Sequence, residues 1–293
     1  MKTVLITGAN GFLARRLAAR LGENSWRVIG TVRAAGAVPG FAATYPCALG
    51  DSLAEVLAGE RVDTIIHAAN HSGPGEYRIN TGGTRRWFEE ARARGVPLQI
   101  FLSSLSAGAE QPSDYGRAKR DLEHDFLAGG GVVIRLGLVV GYGGLFRRMF
   151  DSVRRLPILP LLDNGRSPVY VVNPDFLGEI VGTCVEKGGE GFRGRIWQPH
   201  EPTPHTLREV MEAIRDLTKS RCRFVPLPSL PILVALSVVE RLPFLRLPVN
   251  ATNVRGVRQA ARETPRSDLR ELGGREVSLA SLIAAAAPPA ALP

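Results

Sequence analysis

Between residues 3 and 136 the sequence alternates short apolar, β-branched runs with amphipathic stretches, an order that few folds accept. The runs are TVLIT (3–7), RVIGTV (27–32), DTIIHA (63–68), LQIFLS (98–103) and VVIRL (132–136), with a weaker one at TYPCA (44–48). Helical periodicity covers 12–21, 52–58, 76–94 and 114–128 between them. Strands that are apolar throughout are buried on both faces. The pattern therefore predicts an α/β fold with a doubly wound parallel sheet covered by helices on either side.

Near residue 140 the texture changes. GYGG (141–144), RLPILPLL (155–162) and FVPLPSLPIL (224–233) bring proline and glycine. Helical stretches at 174–186, 205–219 and 230–241 alternate with short extended pieces. This predicts a dinucleotide-binding domain over 1–140 and a smaller, partly helical substrate lobe over 141–285. Within that lobe, 168–183 is a candidate return to the sheet, and 286–293 is a frayed tail.

The 293 residues, 44% of them hydrophobic, suffice for one large domain or one and a half. The longest apolar run, LPILVALSVV (230–239), is about half of a membrane span, so no transmembrane helix is expected. VLITGANGFLA follows a single Lys and is rich in turn formers, unlike an export signal, which favours a cytoplasmic protein. Cys47, Cys184 and Cys222 are few, odd in number and far apart, which argues against a disulfide framework and against a metal site. The net charge is +9, but arginine is spread evenly and not interleaved with aromatic residues, so no nucleic-acid partner is expected.

VLITGANGFLARRLAARL (4–21) places Gly8, Gly11 and Ala14 directly after a predicted strand and at the start of an amphipathic helix. Gly8 allows a tight turn, Gly11 lets a pyrophosphate approach the helix N-terminus, and Ala14 lets helix pack on strand. The alternative is a purely structural strand-to-helix turn. The second strand ends in GTVRAAG, with Arg33 where an acidic residue would hold the ribose of NAD. NADP(H) is therefore preferred, with NAD(H) possible. Asp51, after the third strand, either accepts from the adenine amino group or caps a helix. HAAN (67–70) ends the fourth strand in small residues, Ala68 and Ala69, that leave room for a cofactor.

SDYGRAK (113–119) sets Tyr115 and Lys119 four residues apart on a predicted helix, hence on one face. Lysine occurs only at 2, 119, 187 and 219, against 33 arginines, so a Lys at this position needs a reason. An ammonium stabilises a phenolate and grips ribose hydroxyls better than a planar guanidinium does. Upstream, Ser103 and Ser104 end a buried strand in IFLSSLSAG and supply a hydroxyl for a substrate carbonyl.

These motifs together resemble the extended and atypical short-chain dehydrogenase/reductase superfamily, in its NAD(P)-dependent epimerase/dehydratase branch. TGANGFLA resembles its Rossmann-type glycine start, NTGGT (80–84) its N-x-x-G-T helix, and FLSSLSA with YGRAK its Ser, Tyr and Lys. RLGLVVGYGG (135–144) resembles R-P-G-x-V-y-G, and VYVVNPDFLGEIV (169–181) a later helix start. Carried over by position, the resemblance implies Ser104, Tyr115 and Lys119 as the catalytic triad. It implies cofactor contacts from Asn10, Phe12, Leu13 and Leu138, with Lys119 serving both. Leu136 replaces the family's Pro, and Asn173-Pro174 replace an Asp. The short gap from Ser104 to Tyr115 and the GTVR segment point away from epimerases. The reading is an NADP(H)-dependent oxidoreductase acting on a carbonyl or alcohol. Its alternatives are a nucleotide-sugar epimerase or dehydratase with retained cofactor, and a non-catalytic dinucleotide sensor. Either a monomer or a homodimer is compatible with the charged face of 120–130.

Overall fold

The computed structural model of the chain describes residues 1–108, 113–228 and 264–288. The chain opens with β1 (Thr3–Ile6), α1 (Phe12–Glu23), β2 (Arg27–Val32), β3 (Ala43–Pro46), α2 (Ala54–Gly59), β4 (Thr64–His67) and α3 (Glu76–Ala93). It continues through β5 (Leu98–Ser104), α4 (Asp114–Ala128), β6 (Val132–Leu136), β7 (Leu138–Val139), α5 (Gly144–Arg155), β8 (Ile158–Leu162), β9 (Pro168–Val169) and β10 (Val171–Val172). There follow α6 (Pro174–Glu186), β11 (Ile196–Trp197), β12 (His205–Thr206), α7 (Leu207–Thr218), β13 (Arg223–Leu227) and α8 (Leu279–Ala286).

Two compact units divide these elements. The first comprises Met1–Ala107, Asp114–Leu136 and Pro174–Pro199. Its seven strands form one sheet in the order β11-β6-β5-β4-β1-β2-β3, and every pairing is parallel. Val4, Leu5 and Ile6 of β1 have no exposed surface, as expected of a strand covered on both faces. Helix α1 buries Ala14, Leu17, Ala18 and Leu21, one apolar stripe at helical spacing. Helix α3 comes close to the loop after β3 because residue 83 is glycine: a Cβ there would meet Gly50 N at 2.8 Å. β2, β6, α4 and α6 have the bounds that the sequence predicts.

The second unit comprises Gly108–Ser113, Gly137–Asn173 and His200–Pro293. Three short pairs, β7 with β10, β8 with β13 and β9 with β12, surround a core of Phe146, Phe150, Val153, Val210, Ile214 and Ile283. Thr206 and Glu209 start α7 with a reciprocal capping box: Glu209 N donates to Thr206 Oγ1 at 3.1 Å and Thr206 N to Glu209 Oε2 at 2.7 Å. The sequence reading has no helix at 144–155, where α5 stands. Its apolar triplet Phe146, Phe150 and Val153 is diluted by Arg147, Arg148, Arg154 and Arg155, and only the core it meets makes it a helix face. The predicted helix at 230–241 lies outside the described residues, as do 289–293 of the predicted tail.

Candidate active site

Because the sheet is parallel, the loops leaving β1, β2, β4 and β5 open on the same carboxyl edge, where such folds bind ligands. The loop after β1 is tied in place by its neighbours. Gly8 N donates to Thr31 Oγ1 at 3.0 Å, Ala9 N to Thr31 O at 2.8 Å and Gly11 N to Gly8 O at 2.8 Å. Thr7 Oγ1 accepts from both Ala68 N and Ala69 N at 3.0 Å, which locks the small residues after β4 against this loop. Gly8 has φ of 74°, and a Cβ on it would meet Ala69 Cα at 2.9 Å. Side chains are excluded here and the backbone is left bare. Gly11 is the N-cap of α1, with no side-chain cap and no acidic residue in the first turn.

The N–H groups of Phe12, Leu13 and Ala14 therefore open α1 without a side-chain acceptor, beside the exposed Asn10. A bare glycine cradle ahead of an uncapped helix N-terminus fits the pyrophosphate of a dinucleotide. Arg33 follows β2, is exposed and makes no ion pair with a described residue. It offers a free cation at the strand end where a ribose phosphate would lie. Asp51 caps no helix, because α2 starts from Leu53. Its carboxylate accepts from Ala48 N at 2.7 Å, and Trp87 Nε1 donates to its carbonyl at 2.8 Å, so the loop carrying it is fixed by α3.

The two serines ending β5 face opposite sides of the sheet, as the period of a strand requires. Ser103 is buried and donates to Glu123 Oε1 at 2.5 Å, and Glu123 is paired with Arg135. Ser104 faces the other way and hydrogen-bonds the Tyr115 phenol. Of the two hydroxyls, only Ser104 joins the tyrosine. Lys119 Nζ lies 5.7 Å from the centre of the Tyr115 ring and 4.6 Å from that of Phe101, and it donates to Leu102 O at 2.8 Å. Ser104, Tyr115 and Lys119 thus converge at the end of β5 and the start of α4.

Burial pushes the Lys119 ammonium down to about 8, opposed by the carboxylates of Glu123 and Glu76. The Tyr115 phenol is raised above its ordinary value: burial is the main cause, the Ser104 hydrogen bond opposes it, and the Glu76 carboxylate adds to it. The expectation that Lys119 draws the phenol below its ordinary value is thus not met in the protein alone, where Ser104 is what lowers it.

Sequence reasoning missed Glu76. It is half-buried in the first turn of α3 and hydrogen-bonded by the Asn70 side chain. Burial and Asp114 raise its carboxyl pKa, while Asn70, His71 and Lys119 lower it. One turn further along α3, Asn80 holds the same loop: His71 N donates to Asn80 Oδ1 and Asn80 Nδ2 to His71 O, both at 2.8 Å. Glu76 acquires its place only once α3 packs beside α4, where Tyr77 donates to Asp121 Oδ2 at 2.6 Å. Leu138 belongs to β7 in the second unit and packs against that unit's core.

Comparison with known proteins bears on this arrangement. Residues 4–126 match the family model described as the NAD dependent epimerase/dehydratase family. Over 255 residues, 81% of this chain and 77% of the other, the sequence is 27% identical to the ceramide reductase of Caulobacter vibrioides. The fold superposes on the UDP-glucose 4-epimerase of Thermus thermophilus in complex with NAD with a TM-score of 0.67 at 17% identity, over 87% of this chain and 99% of that one. It superposes on the dTDP-glucose 4,6-dehydratase of Bacillus anthracis with NAD at a TM-score of 0.64 and 16% identity, over 93% and 94% of the chains.

Proposed function

For a chain whose residues 4–126 match the NAD dependent epimerase/dehydratase family, we propose an NADP(H)-dependent reductase that interconverts a carbonyl and an alcohol. The observation that carries this is the joining of Ser104 to Tyr115 with Lys119 5.7 Å from the same ring. When bound, the nicotinamide dinucleotide supplies or accepts the hydride. The first-turn amides of α1 would hold its pyrophosphate, Arg33 its 2′-phosphate, Asp51 its adenine amino group and Lys119 a ribose hydroxyl.

The protein's own part in the reaction is proton management. Ser104 Oγ steadies the substrate carbonyl oxygen by donating to it, and Tyr115 Oη holds the proton which that oxygen takes up. A phenol raised by burial keeps this proton at neutral pH, and the Lys119 ammonium offsets the charge left when it departs. Arg33 supports NADP(H) over NAD(H), since a free guanidinium suits a phosphate and repays no ribose hydroxyl. The likeness to a ceramide reductase supports reduction, and it puts ketones carried on lipid amides first among substrates to try.

A second reading, epimerisation or dehydration of a nucleotide sugar with the cofactor retained, is supported by the fold shared with NAD-bound epimerases. Native mass spectrometry followed by NADPH-oxidation assays on ketone and nucleotide-sugar panels separates the two. The reductase should purify free of dinucleotide, oxidise NADPH with a ketone, and lose about 10²- to 10⁴-fold in turnover as Tyr115→Phe while still binding NADPH. Purification with tightly held NAD and turnover of a nucleotide sugar would establish the second reading instead.

A further inference from the structure

The pair β8–β13 in the second unit is apolar on both faces. Leu159, Leu161 and Phe224 turn inward to the core around Phe146 and Phe150. In the parallel register Ile158 lies beside Arg223, Pro160 beside Val225 and Leu162 beside Leu227, so these side chains share the opposite face. A two-stranded pair whose only task is to cover a core carries polar residues outward. Here Ile158 is 56% exposed, Val225 44% and Leu227 37%, and Leu156, just before β8, is 45% exposed. Among the described residues of this unit, none covers the outward apolar face.

Cations frame it. Arg154 and Arg155 end α5 immediately before Leu156, and Arg221 and Arg223 begin β13. Arg223 N donates to Pro157 O at 2.9 Å, which brings the two arginine pairs together. Along α5, Leu145 and Arg148 lie on the side away from the buried Phe146, Phe150 and Val153, and Leu145 is 56% exposed. Arg148, Arg154, Arg155, Arg221 and Arg223 are all exposed, and none forms an ion pair with a described acidic residue.

We propose that the outward face of β8–β13, with the adjoining end and side of α5, docks the protein on the surface of an anionic lipid bilayer. Aliphatic side chains between unpaired arginines suit the boundary between acyl chains and phosphates: the apolar groups enter it and the guanidinium groups stay at headgroup level. Nucleic acid is the poorer match, because among the described residues no exposed aromatic ring stands beside these arginines to stack on a base. The proposal does not depend on the reductase reading, since it concerns where the protein binds and not what it turns over.

Flotation of the full-length protein with phosphatidylcholine vesicles, with and without phosphatidylglycerol, tests it. The wild type should float with the anionic vesicles, less so at high salt, and stay behind with the zwitterionic ones. At roughly fivefold per basic residue, Arg154→Glu with Arg155→Glu should weaken partitioning at least about twentyfold. Ile158→Glu with Val225→Glu should abolish it. All four positions are exposed, so the variants should keep the wild-type melting curve, and Arg94→Glu in the first unit should partition as the wild type does. Four results would overturn the proposal: no flotation of the wild type, equal flotation with both vesicle types, folded patch variants that float normally, or an RNA complex or a dimer lost on Ile158→Glu in place of vesicle binding.

Discussion

Lys119 donates to a strand carbonyl inside the protein, and burial pushes its ammonium down to about 8. The folded protein thus gives up this proton before the unfolded chain does. Between pH about 8 and the ordinary lysine range the unfolded chain binds more protons, so stability rises with pH through that window and the cost of the buried charge is fully present below it. In Lys119→Met that slope disappears. Measured by urea unfolding from pH 7 to 10, the wild type should gain on the order of 2 kcal/mol relative to Lys119→Met. A difference that stays flat with pH would mean that Lys119 titrates in the folded protein as it does in the unfolded chain, and a full slope already present at pH 7 would mean that it has lost its proton there. The same comparison bears on catalysis, because a lysine that keeps its proton at neutral pH can offset charge on the phenol and one that has lost it cannot.

At the scale of elements, the strand, glycine loop and helix that open the chain separate two costs of adding a side chain. Gly8 sits at φ of 74° with Ala69 Cα 2.9 Å from any Cβ, so Gly8→Ala should lower stability by about 1–3 kcal/mol. Gly11 has φ of −67°, and only Gly8 O, at 3.0 Å, crowds a Cβ there. Gly11→Ala should therefore cost less stability yet weaken NADPH binding about tenfold or more, since its methyl enters the cradle. Thermal melting and calorimetric titration of the two variants read these effects apart. Wild-type affinity in both folded variants would show that the loop holds no cofactor.

The contrast also shows why some elements were legible in the sequence. β1 to β6 and α1 to α4 announce themselves through runs and periods confined to a few residues, and Tyr115 and Lys119 are neighbours by helical spacing alone. The residues alone leave Ser103 and Ser104 both open and only the family resemblance names Ser104; the physical reason is the direction of the strand, which Glu123 reveals by taking Ser103. Glu76 needed the packing of α3 beside α4, a contact between segments some 40 residues apart. β11, at two residues, is too short to carry a period.

For the whole molecule the consequential feature is that the first unit is not continuous in sequence: Pro174–Pro199 belongs to it. Helix α6 lies on α1, where Gly178 leaves room for the stem of Arg20. It buries Leu177, Ile180, Val181, Cys184 and Val185. At its far end Lys2 Nζ donates to Val185 O at 2.9 Å and Glu186 O at 2.8 Å. β11 then pairs with β6, and Arg193 donates to Pro97 O at 2.7 Å, fastening the return. A fragment of residues 1–140 would contain every glycine-loop and Ser-Tyr-Lys residue, yet it would uncover the side of α1 on which α6 lies, around Arg16 and Arg20, and leave β6 as an open edge. We expect it to aggregate, or to melt without cooperativity by circular dichroism, and to bind no NADPH. Burial of five apolar side chains of α6, at about 1.5–3 kcal/mol for each of the larger ones, is comparable with the whole stability of a domain. A fragment 1–140 that melts cooperatively and binds NADPH as the full chain does would show that the sheet is complete without its returning segment.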